Sequence, residues 1–148
     1  MTVALLVAAA VAAVVAAVVA AAVIRTRSTL LRITVDGHSM EPTLGHGRRV
    51  LFRRTGPAAV RAGAVVILEL PAIGAPDGAP GRWIVKRVAA GPGEPLPPAV
   101  AAAPGAPPDG RVPAGHIAVL GDNPDASVDS RHYGPVPLDR VLGVAVGR

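Results

Sequence analysis

The chain of 148 residues contains no cysteine, which excludes a disulfide framework and a thiolate nucleophile and leaves the compartment open. Aromatic residues are nearly absent as well: Phe52, Trp83 and Tyr133 are the whole complement. Val, Leu, Ile and Ala must therefore fill the core. The net charge of +5 comes almost wholly from Arg, scattered and without interleaved aromatics, and this pattern suits anionic lipid headgroups better than nucleic acid. His38, His46, His116 and His132 are dispersed and lack metal-ligand spacing, so neither a metal nor another cofactor is expected.

Lysine is the most telling scarcity. Of 15 Lys plus Arg, Lys86 is the single lysine. Arg does not lose its proton in a protein, whereas a desolvated Lys does. Lys86 lies in Arg82-Trp83-Ile84-Val85-Lys86-Arg87-Val88, and period-2 alternation puts it on the face of Ile84 and Val88. An apolar face disfavours an ammonium; moving a lysine from ~10.4 to near ~7 takes about 4 kcal/mol, which burial supplies. A high-GC genome also makes lysine rare everywhere, so rarity alone assigns no role.

Residues 1–24 hold no charged side chain, Pro or Gly. About 22 apolar residues at ~1.5 Å each cover ~33 Å, enough to cross a ~30 Å hydrocarbon core, and a transmembrane helix is predicted over 1–24. A cleaved signal peptide fits less well, because no basic segment precedes the run and the run is long and unbroken. Arg25, Arg27 and Arg32 follow it, and flanking charge alone would keep the rest of the chain in the cytoplasm.

The remainder, 25–148, is about one domain's worth of chain. Apolar runs recur at 31–35, 48–53, 64–70, 82–88, 116–120 and 141–146 between Gly- and Pro-marked turns, with no convincing amphipathic helix. An all-β domain is predicted. Residues 91–113 contain eight prolines; they cannot form a central strand and read as a loop or mobile excursion.

The stretch 35–44, VDGHSMEPTL, sets the hydroxyl of Ser39 in a loop after an alternating strand. Gly37 permits the turn, and Pro42 is expected to keep Met40 and Glu41 extended. A Ser between Gly and Pro is equally an ordinary turn hydroxyl. Likewise Asp122, Asn123, Pro124 and Asp125 are turn formers that need no function.

Three ordered blocks join these residues: 35–44 around Ser39, 82–94 around Lys86, and 121–136, reading GDNPDASVDSRHYGPV. Together, behind an apolar N-terminal run, they resemble the bacterial type I signal peptidases, membrane-anchored Ser-Lys enzymes that remove signal peptides. The resemblance implies a signal-peptidase-like β-fold after one transmembrane helix, with Ser39 as nucleophile and Lys86 as general base. It implies that Ser127 aims the amine, that Asp129 and Arg131 brace the loop, and that Gly121, Asp122 and Asn123 start it. Ile33, Val35, Met40, Leu44 and Val85 match positions lining shallow pockets for small side chains. His38 is set aside as a base, since a neighbour along an extended chain points away from Ser39. The Ser39 amide is one oxyanion donor; Gly37 stands where some members carry a second, so that donor stays open. Many members place a second small β-domain at 91–113, where this chain is short. Implied partners are signal peptides of exported preproteins and the lipid membrane, with the catalytic domain on the extracytoplasmic side. Two other readings share many of these features: a self-cleaving Ser-Lys repressor-type peptidase, and an inactive membrane-anchored homologue.

Overall fold

Strand β3, Val65–Leu70, is buried on both faces, with Val66, Ile67 and Leu68 all at 0% exposure, and the rest of the fold is layered about it. The computed structural model describes residues 11–21, 29–71 and 81–147. Among these residues six further strands complete one sheet: β1 Leu30–Thr34, β2 Arg49–Arg53, β4 Arg82–Ala90, β5 His116–Leu120, β6 Val136–Pro137 and β7 Val141–Ala145. Their order is β1-β2-β7-β3-β4-β5-β6, antiparallel from β2 through to β6. Alternation sends Ile67 to one face and Val66 and Leu68 to the other. Accordingly Ile67 joins Val35, Met40, Leu44, Val50 and Phe52 in one apolar cluster. Val66 and Leu68 join Val88, Ile117, Val119 and Val136 in another.

Each expected strand is present, with ends moved by no more than two residues. β4 runs on to Ala90. β6 was not expected: it is two residues long and contains Pro137 at the sheet edge, where a missing N–H breaks no ladder. Two one-turn helices also went unforeseen, α2 Pro98–Ala101 and α3 Ser130–Tyr133, because four residues are too few to show a helical period. Residues 91–113 stay out of the sheet apart from a bridge between Pro95 and Arg111. They are nevertheless folded: Leu96, Val100 and Val112 are buried with Ala90 and Ala118 in a third small cluster.

The chain divides into two compact units, 1–30 and 31–148. In the first, residues 11–21 form helix α1, whose valines are exposed. Among the described residues no helix is long and apolar enough to cross a membrane. The ends of the predicted 1–24 span, residues 1–10 and 22–24, lie outside the described residues.

Candidate active site

Lys86 sits in mid-β4 with Val88 and Ala90 on its face, and the burial pattern of the strand alternates as the sequence predicts. It is 4% exposed. Burial pushes its ammonium below the ordinary lysine range; the Asp129 carboxylate pulls it back up, and Arg131 pushes it down again. Its Nζ donates to Ser127 Oγ at 3.0 Å. Ser127 in turn donates to Asp129 Oδ2 at 2.6 Å, the short distance of a charge-assisted bond.

Asp129 is fully buried. That alone would raise its carboxyl, but it accepts from Arg131 Nε and Nη2 at 2.9 and 2.6 Å, from the Gly121 amide at 2.8 Å, and from Ser127. Together these hold it ionised, far below the usual carboxylate range. Asp129 also caps α3, accepting from the Arg131 amide, while His132 Nδ1 accepts from the Asp129 amide. Next to it, Ser130 Oγ accepts from the Val119 amide at 2.9 Å, tying α3 to β5.

Gly121 explains itself by space. The β4–β5 register pairs Arg87 with Leu120, so one step further Gly121 faces Lys86. A Cβ there would overlap Ser127 Oγ and stand 2.5 Å from the Ser39 carbonyl oxygen. Ser39 is clamped from the same loop: the Asn123 amide donates to the Ser39 carbonyl at 3.0 Å, and Asn123 Nδ2 donates to the His38 carbonyl at 3.1 Å. Asp122 takes Arg87 in a two-point pair at 2.8 and 2.6 Å, which keeps its carboxyl low. Arg87 further donates to the Gly63 carbonyl. The three sequence blocks thus converge on one spot, and the third bridges the other two.

Ser39 is half-buried at the start of the turns over 39–43. Met40 and Glu41 are not extended as expected: the Leu44 amide donates to the Met40 carbonyl at 2.8 Å, and the Glu41–Pro42 peptide is cis. Among the described residues the Ser39 hydroxyl makes no hydrogen bond, and the bond from Lys86 goes to Ser127. His38 turns to Glu41 at 2.9 Å, a bond that holds the Glu41 carboxyl down. The histidines are less scattered than the sequence suggests, because the rings of His38 and His46 lie 5.8 Å apart. No group that could hold a metal occurs among the described residues. Of the expected pocket residues, Val35, Met40 and Leu44 are core, while Ile33 and Val85 are half-buried at the rim of the same cluster.

Two neighbours of the site had no role in the sequence reading. Arg87 gave only its place beside Lys86 as a signal, since its pairing with Asp122 spans 35 residues. Tyr133 is a lone aromatic within the third block. Its hydroxyl is buried with no hydrogen-bond partner among the described residues, and burial, followed by the charge of Asp129, pushes it up out of its ordinary range. The Lys86 amine, disfavoured as an ammonium by burial, thus lies against the Ser127 hydroxyl of a loop fixed by an ionised carboxylate.

Known proteins resemble parts of the chain. The mitochondrial ATP-independent inner membrane protease subunit 1a of Arabidopsis thaliana is 54% identical over 37 residues, 25% of this chain and 22% of that protein. Thylakoidal processing peptidase 1 of the same plant is 46% identical over 37 residues, 25% of this chain and 11% of that protein. The chain thus matches less than a quarter of the length of either relative. Among solved structures, a signal peptidase I from Enterococcus faecalis aligns at 22% identity and a TM-score of 0.41, over 57% of this chain and 94% of that one. The description "Signal peptidase, peptidase S26" matches residues 6–97 and 98–148, nearly the whole sequence, and the chain belongs to the signal peptidase family.

Proposed function

We propose that the chain is a serine endopeptidase, anchored in the cell membrane by its N-terminal apolar segment, that removes signal peptides from exported preproteins on the extracytoplasmic side. In this reading neutral Lys86 takes the Ser39 proton as the hydroxyl attacks the scissile carbonyl. An acyl-enzyme forms, the leaving amine receives the proton, and Lys86 then activates the hydrolytic water. The Ser39 amide meets the developing oxyanion. Gly37, at φ 98°, brings no side chain to that place. Ser127 aims the amine, and Asp129 and Arg131 fix Ser127.

The observation that carries the proposal is the bond from the sole, buried lysine to Ser127 within the same loop that clamps the Ser39 carbonyl. Ser39 and Lys86 share no hydrogen bond here, and catalytic hydrogen bonds commonly tighten only in the complex with substrate. An inactive homologue would share that gap. Incubating the detergent-solubilised protein with a model preprotein, beside a Ser39→Ala control, separates the two. Cleavage by the parent alone supports the proposal, and no cleavage by a folded parent refutes it.

A further inference from the structure

Asn123 opens the 3-10 turn Pro124–Ala126, a place where an Asn side chain ordinarily caps the amides that follow, yet it makes no such cap. It reaches instead across 85 positions of sequence to the His38 carbonyl, at 3.1 Å. A carbonyl only accepts, so the NH2 end of the Asn123 side chain must face it. The same carbonyl accepts from the Glu41 amide at 3.2 Å, and the Asn123 main-chain amide donates to the Ser39 carbonyl at 3.0 Å. The Ser39 amide donates to nothing among the described residues. Gly37 has no hydroxyl, and its amide is taken by His46 Nδ1 at 3.2 Å.

We infer that the Asn123 side chain is a positioning residue for the oxyanion: by holding the His38 carbonyl, it aims and strengthens the Ser39 amide that meets the developing charge. The inference rests on the proposed function. The His38–Ser39 peptide is trans and planar, so its N–H points opposite to its C=O. Fixing the carbonyl therefore fixes the amide. A carbonyl that accepts hydrogen bonds also polarises the N–H across the same peptide, making it a better donor. The Glu41 bond lies within the nucleophile loop and moves with it. Asn123 belongs to the other loop, the one whose Ser127 holds Lys86, so its side chain sets the oxyanion donor in register with the base. With the Gly37 amide occupied and no hydroxyl beside it, the aim of the Ser39 amide matters the more.

The test uses the full chain in detergent, a model preprotein, and a peptidyl trifluoromethyl ketone whose peptide ends in Ala. In the adduct the ketone carbon bonds to Ser39 Oγ, the carbonyl π electrons pass to oxygen as an oxyanion, and the hydroxyl proton passes to Lys86. The matching peptidyl alcohol binds without forming an oxyanion. Asn123→Ala keeps the main-chain bond to the Ser39 carbonyl and should lower kcat about 2- to 13-fold, the range for one neutral hydrogen bond, with KM unchanged. The ketone should bind more weakly by the same factor, and the alcohol as in the parent. Asn123→Asp, equal in size but with acceptor oxygens only when ionised, should lose at least as much. Parental kcat and ketone affinity in a folded Asn123→Ala or Asn123→Asp protein overturn the inference. An equal loss of affinity for ketone and alcohol overturns it too, because a residue that merely holds the fold weakens both alike. Either result leaves the proposed function standing while the parent cleaves. No Ser39-dependent cleavage and no ketone adduct with the folded parent overturn both.

Discussion

Ser127→Ala separates the two jobs that the structure gives one hydroxyl. Ser127 Oγ accepts from Lys86 at 3.0 Å and donates to Asp129 at 2.6 Å. The first bond positions the amine. If the amine is neutral, losing that bond costs about 0.5–1.5 kcal/mol, or roughly 2- to 13-fold in rate at ~1.36 kcal/mol per decade. The second bond anchors the loop: a bond to a charged group is worth about 1.5–3 kcal/mol, and its loss falls on stability because the Gly121 amide and Arg131 still hold the carboxylate. The assay is kcat/KM on a model preprotein across pH, beside chemical denaturation of the same preparations. The expected result is a modest rate loss with a clear stability loss, whereas Ser39→Ala abolishes turnover and leaves stability nearly unchanged. A folded Ser127→Ala protein with parental kcat/KM at every pH refutes the positioning role.

Three more substitutions probe the neighbours. Lys86→Met should remove about 10²–10⁴-fold of rate, as loss of a general base does, yet raise stability at neutral pH. A folded-state lysine pKa below the unfolded one makes stability rise with pH between the two, and Met removes that slope; a less stable Met variant at neutral pH contradicts the burial argument. Asp129→Asn takes away the charge that favours the Lys86 ammonium, so the acid limb of the rate profile should move to lower pH; an upward move rejects the electrostatic account. The variant should also lose up to about 3–5 kcal/mol, the upper figure being for a fully buried pair, whereas Arg131 is 21% exposed. In the parent, the Asp129 contribution is complete above the ordinary carboxylate range near ~3.9 and fades as pH falls below it. Gly121→Ala should cost at least about 1–3 kcal/mol through overpacking and most of the activity, since its Cβ collides with Ser127 and crowds the Ser39 carbonyl; a parental rate with parental stability contradicts that packing.

Much of the body was legible in the sequence because strand burial obeys a period of two. Alternation through Arg82 to Val88 put Lys86 on the apolar face, and the apolar run at 64–70 marked the strand that became β3, though not that both its faces would be covered. The scarcity of lysine singled out Lys86, and the family resemblance carried by GDNPDASVDSRHYGPV singled out Ser127; the structure joins them at 3.0 Å. What pattern could not supply was distance across the chain. The pairing of Arg87 with Asp122, the Asn123 clamp on Ser39 and the crowding at Gly121 all join residues far apart in sequence. The cluster around Val35, Met40 and Leu44 mixes residues from several elements, so core and pocket wall read alike in sequence. Local periodicity determined which face each residue takes; only the folded sheet, by bringing β4, β5 and the nucleophile loop together, decided which faces meet and left the Tyr133 hydroxyl buried without a partner among the described residues.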